Sequence, residues 1–228
     1  MLMRESQPDL SLALIPSCGP VVTEGCVTFR VVSHAATAMR LLLYDTVADT
    51  EPAEEIEFDP KFKLGSVWHA LVKSSGHGQL YHLQAEGPRD PERGLWFDGR
   101  ARLIDPYARA LAGDFQPADD GVLRPPKCVV IDDHFDWRGD RCLNHPLADT
   151  VIYEMHVGGF TKSPTSQVKY PGTYLGVVEK IPYLKSLGVT AIELMPVHEF
   201  PILDIFGVPR ERSNYWGYDP LAFFAPHR

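Results

Sequence analysis

Between residues 20 and 100 the apolar positions fall in short runs divided by turn chemistry. CVTFRVV (26–32) alternates in part with period two. MRLLLYD (39–45), SVWHALVK (66–73) and QLYHLQAE (79–86) follow at strand length. Asp59-Pro60, Gly76-His77-Gly78 and Gly87-Pro88 punctuate them. Short strands separated by such breakers predict a mainly β antiparallel sandwich over residues 1–100. Residues 101–149 have a different texture. IDPYARALAG (104–113) predicts a short helix, with Asp105 as N-cap, Pro106 in the first helical position and Gly113 closing it. Pro117, Pro125, Pro126 and the polar stretch around FDW (135–137) predict a linker packed on the surface.

At Thr150 the rhythm changes again. VIYEMHV (151–157) is mostly apolar on both sides, as strands buried in parallel sheets are. TYLGVVEKIPYLKSLG (173–188) carries Val177, Ile181, Leu184 and Leu187 at helical spacing, with Gly188 as its stop. Pro182 kinks this helix or divides it in two. VTAIELMPV (189–197) predicts a second buried strand. Residues 150–228 therefore open with a strand–helix–strand unit of the kind that builds parallel sheets through right-handed crossovers.

Composition narrows the class. The chain has 228 residues, 44% hydrophobic and 23% charged, with 18 Gly and 20 Pro. That balance excludes a disordered tail, a collagen-like fibre and a disulfide-dense mini-protein. The 22 basic and 30 acidic residues leave a net charge of −8 and no basic run, which argues against nucleic acid and anionic membranes as partners. No segment approaches the ~20 apolar residues that span a bilayer. The apolar run Leu10–Ile15 follows Glu5 and Asp9 and is shorter than the ~7–15 residues of a signal-peptide core. Cys18, Cys26, Cys128 and Cys142 form no CxxC pair, so reduced thiols in a cytoplasmic protein are expected.

Chemistry is sought at the carboxyl ends of the two parallel strands, where such folds bind ligands. The first strand delivers Glu154, His156 and the Gly158-Gly159 turn. The second delivers Glu193, then His198 and Glu199. Downstream, Tyr215, Trp216 and Tyr218 cluster around Gly217. Flat aromatics beside polar groups suit sugars, whose C–H faces stack on rings while their hydroxyls take hydrogen bonds. Each feature has a structural alternative. Glu154 and Glu193 suit buried carboxylates paired with His or Arg. The histidines lack HExxH spacing for a metal, and the aromatic cluster alone suits core packing.

Three ordered segments carry a resemblance. VIYEMHVGGFTKSP (151–164), GTYLGVVEKIPYLKSLGVTAIELMPVHEF (172–200) and NYWGYDPLAFFAPHR (214–228) resemble the opening of the catalytic barrel in glycogen debranching enzymes. These are isoamylase-type members of the alpha-amylase superfamily. GPRDPERGLWFDGRARLIDPYARALAG (87–113) resembles the end of their N-terminal carbohydrate-binding sandwich, and residues 17–45 and 66–86 match more loosely. The resemblance implies a sandwich followed by the first β/α units of an incomplete (β/α)8 TIM barrel. It implies hydrolysis of α-1,6-glucosidic branch points in glycogen or limit dextrin, with an α-glucan as partner and no cofactor. It also implies that Tyr218 stacks on the sugar ring beside the scissile bond. Trp216 and Asn214 flank Tyr218 and shape the same pocket, and Asp219 follows in the motif.

The sequence departs from the family in two ways. The family's catalytic carboxylates follow the fourth, fifth and seventh barrel strands, and a full barrel takes about 250 residues. Only 79 residues follow Asp149. No nucleophile or general acid is assigned, and Glu154, Glu193 and Glu199 do not match those motifs. In the sandwich, YHLQ (81–84) and FDGRA (97–101) replace the family's more usual sequences, and Trp68 and Trp96 suit core or interface positions. The expectation is a chain that is catalytically inactive alone and prone to association, since two parallel strands cannot close a barrel. A non-catalytic glucan-binding fragment and a branching-type transglycosylase are the competing functions. Oligomeric state is left open.

Overall fold

The computed structural model describes residues 17–118, 120–201 and 214–227; the apolar run Leu10–Ile15 lies outside them. These residues form two units, each treated separately below. The first comprises residues 17–133, 198–201 and 219–227, and the second comprises residues 134–197 and 214–218.

Two sheets build the first unit. One has the order β1 (Gly19–Thr23), β2 (Cys26–Val32) and β5 (Val67–Lys73). The other has the order β4 (Glu54–Glu57), β3 (Ala38–Tyr44), β6 (Leu80–Glu86), β10 (Lys127–Val129) and β9 (Leu111–Ala112). All neighbours are antiparallel. Short ribbons flank them: β7 (Arg89–Asp90) with β8 (Leu95–Trp96), and β13 (His198–Glu199) with β14 (Ala222–Pro226). Alternate residues of the long strands meet in one core. Val27, Phe29 and Val31 come from β2; Trp68, Ala70 and Val72 from β5; Leu41 and Leu43 from β3; Tyr81, Leu83 and Ala85 from β6. Phe29 sets its ring edge-on to Tyr81, 5.0 Å between centroids. The alternation is weak along β3 because its other face is also covered: Leu42 and Tyr44 form a second cluster with Leu80, against Ala112 and Val129.

The residues expected to be a helix at 104–113 are not one. Asp105 does accept a hydrogen bond from the Tyr107 N–H (2.9 Å), and Ala108 N–H closes one turn on the Asp105 carbonyl. The chain then leaves for β9, because pairing Leu111 and Ala112 with Cys128 and Lys127 completes the sheet edge. The Asp105 carboxyl is fully buried and also accepts from the Tyr81 hydroxyl at 2.9 Å. The Asp105 N–H lies 3.3 Å from the Cys128 sulfur. Burial pushes the Asp105 carboxyl, the Tyr81 hydroxyl and the Cys128 thiol all upward in pKa. The segment expected as a linker thus supplies two strands and a buried polar knot to the sandwich.

In the second unit β11 (Ile152–Met155) and β12 (Ala191–Leu194) pair in parallel. The connection contains α1 (Val157–Thr161), α2 (Tyr174–Glu179) and α3 (Ile181–Ser186). Pro182 divides the expected helix, at Lys180, into α2 and α3. The first strand is shorter than VIYEMHV because His156 caps α1 with its own ring. Neither strand is buried on both faces: Ile152 and Ile192 are exposed.

Candidate functional site

The carboxyl end of β11 gathers His156, Tyr215 and Trp216. His156 holds two partners at once. Its Nδ1 accepts the Gly159 N–H at 3.0 Å, which leaves the ring proton on Nε2. Nε2–H then donates to the Tyr215 carbonyl at 2.7 Å. Both nitrogens are occupied, so His156 has no lone pair to offer a metal. The imidazole stacks on the Tyr215 ring (4.4 Å, 17° between planes) and meets Trp216 edge-on at 5.9 Å. Gly159 leaves room for this stack: a Cβ on it would lie 2.9 Å from the Tyr215 hydroxyl and the ring would have to shift.

The aromatic turn itself is closed by Asn214, whose side-chain amide donates to the Tyr218 carbonyl. Gly217 takes a left-handed conformation (φ 73°) between Trp216 and Tyr218. Trp216 and Tyr218 are 52% and 59% exposed, so the cluster is an open platform and not core packing. Tyr218, Trp216 and Asn214 are therefore brought together. Asp219 belongs to the first unit and also sits at positive φ (74°).

The supporting loop is built around small residues. Thr161 is fully buried, and its hydroxyl accepts the Gly172 N–H at 2.8 Å. Thr173 caps α2 by accepting the Gly176 N–H and donating to the Tyr170 carbonyl. A Cβ on Gly176 would strike that carbonyl and the Thr161 hydroxyl. These contacts explain Gly159, Thr161, Gly172, Thr173 and Gly176, of which the sequence marks only Gly159, as part of the Gly158-Gly159 turn.

The other strand-end residues do not join the platform. Glu154 and Glu193 lie directly opposite each other on β11 and β12, and both are exposed. The buried pairing with His or Arg expected of them is absent among the described residues. His198 and Glu199 belong to the first unit. There His198 packs edge-on to Phe223, and Glu199 lies 2.9 Å from His227.

Residues 17–108 match the family described as "Carbohydrate-binding module 48 (Isoamylase N-terminal domain)". These residues, which build most of the sandwich, belong to that family. Similarity extends well past the module. The chain is 39% identical over 222 residues to chloroplastic isoamylase 1 of rice, covering 91% of this chain and 27% of that protein. It is 38% identical over 218 residues to the glycogen debranching enzyme of Klebsiella pneumoniae, covering 87% of this chain and 32% of that enzyme. The chain thus spans about a third or less of the curated relatives it matches. Among solved structures it is similar to a pullulanase from Bacillus acidopullulyticus, with a TM-score of 0.68, 27% identity, and coverage of 92% of this chain and 25% of that one. It is also similar to a pullulanase from an Anoxybacillus species, complexed with maltotetraose. That match has a TM-score of 0.66 and 25% identity, covering 92% of this chain and 29% of that one. No described helix is long and apolar enough to cross a membrane.

The first unit has a cleft of about 410 Å³, bordered by the β3–β4 connection, Arg102 and residues between 112 and 127. Its cations are already engaged. Arg102, 7% exposed, donates to the Thr50 carbonyl and to Glu51 at 2.9 Å. Lys127 donates to the Val47 and Asp49 carbonyls at 2.8 Å each. Arg124 pairs with Asp120 at 2.7 Å. Beneath them His82 is held between the Tyr44 hydroxyl and the Pro125 and Pro126 carbonyls. Burial, aided by the charges of Lys127 and Arg102, pulls its pKa down to about 4. Burial also pushes the Tyr44 hydroxyl up to about 12. Sequence inspection passes over this cluster because its members lie tens of residues apart and share no motif.

Proposed function

We propose that this chain is the glucan-handling front portion of an enzyme that hydrolyses α-1,6-glucosidic branch linkages. In this reading Tyr218 stacks on a sugar ring, while Trp216 and Asn214 shape the same pocket. Asp219 closes the motif without an assigned role. The open aromatic turn, latched by His156 at the carboxyl end of a parallel strand, carries the reading. It is the arrangement a pyranose needs, in a chain similar over nine-tenths of its length to isoamylases and debranching enzymes. The parallel β11–β12 unit is read as the first turn of a (β/α)8 barrel. Glu154, Glu193 and Glu199 are given no catalytic role. A retaining pair requires two carboxyls about 5–5.5 Å apart across the scissile bond, and nothing here supplies a matched nucleophile and acid. The α-glucan is the partner, and four free cysteines fit a reducing cytoplasmic setting.

The test is a titration of the 228-residue chain with maltotetraose, beside a reducing-end assay on glycogen. Binding without release of reducing ends is expected, and Tyr218→Ala should weaken maltotetraose binding about tenfold, the loss of roughly 1.4 kcal/mol of stacking. Undiminished binding in Tyr218→Ala would remove the platform from this role. New reducing ends would show that the chain contains its own catalytic carboxylates.

A further inference from the structure

A carbohydrate-binding module needs an aromatic face open to solvent, because ring stacking is what distinguishes a pyranose from any other polyol. Among residues 17–108 almost every aromatic is already committed. Phe29, Tyr44, Phe58, Trp68 and Tyr81 are buried in the sandwich. Phe97 packs against Gly87, where a Cβ would lie 2.7 Å from its ring. Tyr107 stacks on Phe224 at 5.5 Å, and Phe62 is half-buried in a 3₁₀ turn. The 410 Å³ cleft gives no alternative. No Phe, Tyr or Trp lines it, Tyr44 is 1% exposed beneath Lys127 and Arg102, and Arg102 and Arg124 are paired with Glu51 and Asp120. Trp96 alone is open, at 65% exposure.

Its surroundings have the polar chemistry a sugar requires. Trp96 lies directly across the β7–β8 ribbon from Arg89, so both side chains leave the same face. Two residues further on, Asp98 holds the Arg100 guanidinium through both carboxylate oxygens, at 3.1 and 2.8 Å. The intervening Phe97 points the other way and anchors the ribbon on Gly87. An exposed indole opposite an exposed guanidinium, with a carboxylate–guanidinium fork two residues along the chain, offers a stacking face with donors and acceptors close to it in sequence.

We propose that Trp96, with Arg89 opposite it and Asp98–Arg100 close to it in sequence, is a second α-glucan contact, on the sandwich and independent of the Tyr218 platform. The inference rests on the α-glucan reading above. A long branched glucan engaging both sites on one chain would bind more tightly than a short oligosaccharide engaging one.

Native electrophoresis of the 228-residue chain in gels with and without glycogen tests it. The parent should be retarded by glycogen, and Tyr218→Ala should keep part of that retardation. Adding Trp96→Ala to Tyr218→Ala should abolish the remainder, with an apparent dissociation constant at least about tenfold higher. Trp96→Tyr should keep most of it. Thermal melts of the Trp96 variants should match their backgrounds, since the side chain is outside the core. Retardation of Tyr218→Ala that Trp96→Ala leaves unchanged would overturn the site, as would complete loss in Tyr218→Ala alone. Sedimentation as a dimer that Trp96→Ala dissociates, without changing retardation, would overturn it in favour of a protein contact. A parent that glycogen never retards would instead defeat the glucan reading and take this inference with it.

Discussion

His82 is held from both ring nitrogens under two cations, and this makes it a source of pH dependence in the module. Its folded pKa of about 4 lies below the 6.5 of the unfolded chain. Between those values the unfolded state takes up a proton that the folded state refuses, so stability falls as pH drops from about 6.5 towards 4. The gap corresponds to a loss on the order of 3 kcal/mol. His69, also lowered by burial, adds in the same direction. Asp105, whose pKa is raised, opposes it at the acid end, because its folded form is the better proton acceptor there. Urea midpoints at pH 7.5, 6 and 5 should decline, and His82→Gln should flatten the decline by about half or more. An unchanged slope in that variant would place the dependence elsewhere. His82 was not legible as special in YHLQ, since its partners Tyr44, Pro125 and Pro126 come from remote segments. The Tyr215–Tyr218 cluster was legible because four adjacent residues carry it. The histidine that latches it is 59 residues away, and only the structure joins them.

Elements were legible in proportion to their length. The runs at 26–32, 39–45, 66–73 and 79–86 became β2, β3, β5 and β6 within a residue or so, since each buries a full alternating face. Pro182 divided its helix as proline chemistry requires. β9 and β10, of two and three residues, have no periodicity to read. The signals at Asp105-Pro106 suit a turn as well as a helix start, and Tyr81 and Cys128 decide between them from other strands. The placement of these short strands has a consequence for the module's limits. A piece ending at residue 100 would strip β9 and β10 from the five-stranded sheet. It would leave the Tyr81 hydroxyl without Asp105 and uncover Leu80 and Tyr44. Residues 17–133 should melt cooperatively and residues 17–100 should not, as followed by far-ultraviolet circular dichroism. A sharp transition in the shorter piece would show that the 111–130 strands are dispensable.

The second unit contrasts with the first at the scale of the whole molecule. Its two-stranded sheet leaves Ile152 and Ile192 exposed, and Val178, Ile181 and Leu187 are exposed on α2, α3 and the residue after them. An apolar groove of about 580 Å³ runs beside them, between α3 and β12. Exposed surface of this kind associates through the hydrophobic effect, which salt does not screen. The chain should self-associate with rising concentration despite its net charge of −8, at 0.5 M as at 0.05 M sodium chloride, and should bind 8-anilinonaphthalene-1-sulfonate. A monodisperse monomer at 100 µM that leaves the dye dark would contradict this. The four thiols let the two units be followed apart. Cys142 is exposed in the second unit, whereas Cys128 is sealed in the sandwich with its thiol pushed upward in pKa, away from the reactive thiolate. An alkylating reagent therefore meets Cys142 at once and Cys128 only when the sandwich parts, so the rate at which Cys128 is captured is a clock for that opening.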